Sequence, residues 1–178
     1  CKVSCRYLQN QIRKVGTWMK KNIILIFTDN QQASTLGCYG NKEIYTPNLD
    51  QLSTESVTFD NAYCPNAFCS PCRASLLTGL LPSQHGVHSW IDTRKKEDWP
   101  LGWHALDGLR TLPMSLSESG YKTALIGKYH LGETETTMPG FDHWVTMEDG
   151  HVRSFYRNQV TENGKNYLHE GHTVDFFT

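Results

Sequence analysis

The chain has 178 residues, with 17 Lys and Arg against 18 Asp and Glu and a formal net charge of −1. This near-neutral balance argues against a nucleic-acid surface or a polybasic membrane patch. With 38% hydrophobic and 20% charged residues the composition is globular rather than disordered. The longest aliphatic–aromatic run, Ile23–Phe27, falls far short of the roughly 18 residues that a membrane-spanning helix needs.

Residues 1–18 are basic and polar with no apolar stretch of the signal-peptide kind, and read as an upstream extension before Met19. Residues 19–178 read as the folded part, with an end that looks cut. No export signal is visible, so a reducing, cytoplasmic compartment is expected, with periplasmic or secreted placement open. Asn22–Thr28 is a β-branched apolar run, expected to be a strand buried on both faces of a parallel sheet. It ends at Asp29-Asn30, where a strand leaves its sheet and ligands bind in open α/β folds. Thr46-Pro47 opens an expected helix, with Thr46 as N-cap and Leu49 and Leu52 facing inward. Val57–Tyr63 reads as a second strand and Arg73–Leu81 as a helix closed by Pro82 and Gly86. Asp92–Leu101 reads as a surface loop. Leu112–Ser119 reads as a helix ended by Gly120, and Tyr121–Ile126 as a third buried strand. Glu162-Asn163-Gly164-Lys165 is a hairpin turn, and Val174–Thr178 looks like the start of a helix, as if the chain continued. Strands alternating with helices give an α/β fold with a mostly parallel sheet.

Three polar clusters sit at strand exits or helix starts: Asp29-Asn30, Cys69 to Arg73, and Lys128 with His130. A carboxylate beside an amide suits a hard divalent cation, although a strand-ending turn explains the same pair. Cys69 at a helix N-terminus faces unpaired N–H groups and the positive end of the dipole, which favour an anion. Arg73, one turn on, adds forked donors suited to a tetrahedral oxyanion.

Cys69-Ser70-Pro71-Cys72-Arg73-Ala74-Ser75-Leu76-Leu77-Thr78-Gly79 resembles the type I sulfatase signature, Cys-x-Pro-x-Arg followed by Leu-Thr-Gly. Gly127-Lys128-Tyr129-His130-Leu131-Gly132 resembles the second signature of that family, with Tyr where Trp is usual. Asn22–Asn30 is similar to its first strand and metal-binding Asp-Asp pair, and Thr46–Asp50, Pro82–Val87 and Gly140–Asp142 also fit. The resemblance runs from about Asn22 to the last residue. It implies a three-layer α/β/α sandwich of the alkaline-phosphatase type, incomplete at its C-terminus, and hydrolysis of sulfate esters of small molecules or carbohydrates. It further implies that a maturation enzyme oxidises Cys69 to formylglycine, whose hydrate attacks sulfur with one hydroxyl and expels sulfate through the other. On the same basis Asp29, Asn30 and the modified Cys69 would bind Ca²⁺, with Mg²⁺ or Mn²⁺ as alternatives. Arg73 would hold the formylglycine, Lys128 would bind formylglycine and sulfate oxygens, and His130 would act as general base. Asn30 stands where the family has a second Asp, which removes one negative charge from the cation site. The family's remaining metal ligands, and its later His and Lys, would follow residue 178, so the chain as given is expected to be inactive.

Other readings attach to the thiols. Cys69-x-x-Cys72 at a helix start fits a dithiol redox protein, although thiol exchange needs neither Arg73 nor the Lys128–His130 segment. Cys64-x4-Cys69-x2-Cys72 has the spacing of a [2Fe–2S] module, which needs a fourth, later Cys that the sequence lacks. A non-catalytic, sulfatase-like scaffold is the third alternative. His85 reads as a turn histidine, Trp90, Trp99 and Trp103 as loop aromatics, and Tyr129 as packing.

Overall fold

The computed structural model describes residues 20–148 and 150–177 in two units, divided between Cys64 and Pro65. The expected extension lies outside the described residues. No described helix is long and apolar enough to cross a membrane.

The first unit is loop-rich. Asn22–Thr28 is not in a strand, and Ile23, Ile24, Leu25 and Ile26 are exposed by 63, 84, 50 and 81%. The expected buried strand is therefore absent from the described structure. A parallel strand takes its hydrogen bonds from neighbours on each edge, and no described strand flanks this run. Val57–Tyr63 likewise contributes only a single bridge residue, Val57. Helix α1 (Pro47–Thr54) starts on Pro47 as expected. Thr46, however, caps no helix N–H: its hydroxyl donates to Asp50 Oδ1 at 3.1 Å and accepts the Gly37 N–H at 2.9 Å. Asp50 also accepts the Cys38 N–H at 2.6 Å, so one carboxylate fastens the Gly37–Tyr39 turn onto α1. A Cβ on Gly37 would lie 2.4 Å from that carboxylate, which explains the glycine. Leu49 is 44% exposed, not inward.

In the second unit, helix α2 spans Cys69–Thr78, four residues earlier at its start than expected. Pro71 is compatible with this because first-turn N–H groups have no intrahelical partner to lose. Gly79 ends α2 in the left-handed region at φ 71°. Helices α3 (Pro82–His85) and α4 (Leu112–Glu118) follow, with a 3-10 segment at Thr93–Asp98 where a plain loop was expected. His85 ties α3 to α2: its Nδ1 accepts the Val87 N–H at 3.1 Å, so Nε2 carries the proton and donates to Ser75 Oγ at 3.0 Å.

A four-stranded sheet runs β1 (Ala124–Ile126), β2 (His143–Met147), β3 (Tyr156–Glu162) and β4 (Lys165–His172), in that order. β1 pairs parallel with β2, and the other two pairings are antiparallel. β3 and β4 join through Asn163-Gly164, both at positive φ, which is the hairpin turn the dipeptide predicts. β1 is shorter and more exposed than expected, with Ile126 58% exposed at the sheet edge. Helix α5 (Thr173–Phe177) closes the chain.

The core gathers Ala74, Val87, Leu106, Tyr129, Leu131, Met138 and Trp144. Trp144 is fully buried, donates its indole N–H to the Thr134 carbonyl at 2.9 Å and meets Tyr129 edge-on at 4.7 Å. Truncating such a residue to Ala costs about 3–5 kcal/mol. This core joins α2 to the segment leaving β1, and so holds the two chemically loaded parts of the chain in register.

Candidate functional site

Asn66 sets up the entry to α2 by accepting the Phe68 N–H at 2.8 Å, a local turn that hands the chain into the helix at Cys69. Ser70, Pro71, Arg73 and Ala74 are buried, whereas Cys69 and Cys72 are partly exposed thiols. Cys69, expected at a helix N-terminus ahead of Arg73, is the first residue of α2 itself.

The segment leaving β1 is held in an unusual conformation. Gly127, His130 and Gly132 have φ of 120, 55 and 140°. For His130 this region is sparsely populated and costs on the order of 1 kcal/mol or more, so its surroundings must enforce it. They do so through the backbone: the Ala105 N–H donates to Leu131 O at 2.8 Å and the Glu133 N–H to Trp103 O at 2.9 Å. A Cβ on Gly132 would meet Trp103 O at 2.4 Å, and one on Gly150 would meet the His130 N at 2.8 Å. Tyr129 and Leu131 enter the core, with the Tyr129 hydroxyl 3.0 Å from His104 Nδ1.

Lys128 and Arg73 converge with Cys69. Lys128 Nζ donates to Cys69 Sγ at 3.3 Å, and Arg73 Nη1 donates to the Lys128 carbonyl at 2.8 Å. His130 is tied to the same helix through Ile91, whose carbonyl lies 3.0 Å from His130 Nε2 and whose N–H donates to Ser70 Oγ at 3.1 Å. A carbonyl only accepts, so Nε2 carries the proton and Nδ1 is the basic nitrogen. Nδ1 is buried and has no hydrogen-bond partner among the described residues. Burial pushes the His130 pKa down to about 4, against the opposing pull of the Ile91 carbonyl and with smaller contributions from repulsion by Lys128, His151 and Arg73. The ring is therefore neutral at neutral pH.

His151 stands edge-on to His130 at 5.1 Å, and Trp90 does so at 5.7 Å. His151 was not legible in the sequence. It stands alone in a loop, and only the left-handed Gly150 before it hints at a close backbone approach.

Asp29 and Asn30 lie in the first unit, both exposed, with Asn30 at φ 51° in a turn. Their oxygens are the right donors for a hard cation, but they supply two of the six to eight that Ca²⁺ takes. Among the described residues no group of three or more His, Cys, Asp or Glu could hold a metal ion.

A family model described as Sulfatase matches residues 21–177. The chain is 33% identical over 160 residues to N-acetylglucosamine-6-O-sulfatase of Bacteroides thetaiotaomicron, covering 89% of this chain and 26% of that protein. It is 36% identical over 153 residues to N-acetylgalactosamine-6-sulfatase of Homo sapiens, covering 83% and 29%. It is 41% identical over 147 residues to iduronate 2-sulfatase of Mus musculus, covering 81% and 25%. The chain thus spans about a quarter to under a third of the length of these relatives. Among solved structures, one in complex with its substrate D-glucosamine-2-N,6-O-disulfate superposes with a TM-score of 0.68 at 32% identity, covering 83% of this chain and 27% of that one. Ps i-CgsB superposes with a TM-score of 0.72 at 25% identity, covering 83% and 37%. These likenesses bear out the α/β, alkaline-phosphatase-like fold expected from the sequence.

Proposed function

This chain belongs to the sulfatase family, and on that premise we propose that it carries the nucleophile-bearing part of an enzyme that hydrolyses sulfate esters of sugars, with Cys69 converted to formylglycine. The observation that carries this reading is the approach of Lys128 Nζ to Cys69 Sγ, with Arg73 fixing the Lys128 backbone from the same helix. An iron–sulfur module would have no use for that arrangement, and thiol exchange, which a lysine beside the thiol would assist, does not need Arg73.

Formylglycine at position 69 supplies a hydrated aldehyde whose two hydroxyls serve attack on sulfur and release of sulfate. The chain's own residues do the rest. Lys128, already within reach of the position 69 side chain, places a positive charge where negative charge collects on the sulfate oxygens, a type of interaction commonly worth a few kcal/mol in the transition state. Arg73 is nearly buried and orients Lys128 through its carbonyl. His130, neutral and with Nε2 anchored on Ile91, keeps Nδ1 available to accept a proton. Asp29 and Asn30 would provide oxygen donors to a divalent cation, Ca²⁺ with Mg²⁺ or Mn²⁺ as alternatives.

The substrate class we assign is a sulfated amino sugar or related carbohydrate. It is supported by the names of the hexosamine sulfatases to which the chain is similar, and by the disulfated glucosamine bound in one structural relative. The test uses the full-length protein co-expressed with a formylglycine-generating enzyme and 6-O-sulfated glucosamine as substrate. Sulfate release that is abolished in Cys69→Ala and largely kept in Cys72→Ser supports the reading. Sulfate release that survives Cys69→Ala overturns it.

A further inference from the structure

We propose that Cys69 and Cys72 form a reversible intrahelical disulfide in folded chains whose Cys69 has not been converted, so that oxidation competes with the catalytic use of this position. The proposal rests on the first turn of α2. Within Cys69–Arg73 the side chains of Ser70, Pro71 and Arg73 are buried, and the two thiols alone stay partly exposed. They stand three residues apart, hence on one face of the helix.

An ordinary α-helical turn sets such Cβ atoms about 5–6 Å apart, whereas a disulfide needs about 3.5–4.5 Å. The difference is small and falls where the helix can absorb it. The first N–H groups of a helix have no intrahelical partner and Pro71 has no N–H at all. Tightening to a 3-10 turn, which eclipses side chains three residues apart, therefore has to exchange the bond from the Cys72 N–H to Phe68 O, 3.1 Å long, for one a residue closer. A Cys-x-x-Cys pair at a helix N-terminus is also the arrangement in which thiols exchange readily. Deeper in α2 the same spacing would lack this freedom.

The step balances as thiol–disulfide exchange. Cys69 and Cys72 lose two hydrogens to glutathione disulfide, which leaves as two glutathione thiols, and one S–S bond forms in the chain. The consequence is a position 69 sulfur held in an S–S bond and withdrawn from modification until it is reduced. This goes beyond the sulfatase reading, because it concerns the unconverted chain.

The test uses the chain expressed without a maturation enzyme, equilibrated in glutathione buffers from reducing to oxidising, trapped with an alkylating reagent and cleaved after Phe68 and Arg73. This isolates Cys69–Arg73 from Cys64. We expect the peptide to pass from dialkylated to unalkylated and about 2 Da lighter than the dithiol as the buffer becomes oxidising, and back on reduction. In Cys72→Ser the remaining thiol should stay alkylatable or take up one glutathione. A peptide that stays dialkylated across the range, or that links instead to Cys64, to a second chain or to glutathione, overturns the proposal. None of these outcomes depends on sulfatase turnover, so this idea and the activity stand or fall separately.

Discussion

Lys128 Nζ donates to Cys69 Sγ at 3.3 Å across 59 positions of sequence, and Arg73 secures the same lysine by its carbonyl. Two cationic side chains and one thiol are thereby drawn together on the rim of a core built from Ala74, Tyr129 and Leu131. This contact makes Lys128 the first residue to test. In the converted full-length enzyme, Lys128→Ala should lower kcat on a sulfate ester by about 100-fold or more, the usual loss when one preorganised donor is removed. A change below about threefold would mean that Lys128 only packs against Cys69.

The buried histidines set an acid limit on stability. His130 is pushed down to about 4 and His85 and His104 are lowered, in each case with burial as the main cause. Their unfolded values are near 6.5, so the unfolded chain binds more protons between those limits. For His130 the stabilisation is fully present above about pH 6.5 and is lost as pH falls toward 4, with a slope of up to about 1.4 kcal/mol per pH unit, and His85 and His104 act in the same direction. Urea unfolding at several pH values between 4.5 and 6.5 should show this slope, and His130→Gln should flatten it. Stability that is constant or rises on acidification across that window would contradict the assignment.

Gly132 and Gly40 separate two costs that the sequence cannot tell apart. Both have positive φ, but a Cβ on Gly40 meets nothing within 4 Å whereas one on Gly132 collides with Trp103 O and His104 Cα. Gly40→Ala should cost about 1–2 kcal/mol, the penalty of the left-handed region alone. Gly132→Ala should cost clearly more in a denaturation experiment. Equal losses would show that the backbone at Trp103 yields.

Asn30 offers a test of the cation. If its side chain is a ligand, Asn30→Asp in the full-length protein adds a full charge and should tighten Ca²⁺ binding by calorimetry. Unchanged or weaker binding would leave Asn30 as the turn residue that its φ of 51° also suits.

The site was more legible than the sheet. Cys69, Arg73 and Lys128 could be grouped because their side chains carry the chemistry and stand in recognisable spacings. The contributions of Ile91 and Trp103 could not be read, because they act through backbone carbonyls that any residue would offer. β3 and β4 are rich in polar residues and show no apolar alternation, so only Asn163-Gly164 betrayed them. Asn22–Thr28 erred in the other direction. Its side chains favour a buried strand, but side-chain character supplies neither neighbouring strands nor their hydrogen bonds.

The most direct test of the account is the mass of the Cys69–Arg73 peptide from protein made with a formylglycine-generating enzyme. The account predicts a peptide about 18 Da lighter than the unmodified one, the difference between a thiol and an aldehyde, in preparations that release sulfate from 6-O-sulfated glucosamine. An unmodified Cys69 in a preparation that still releases sulfate would contradict it.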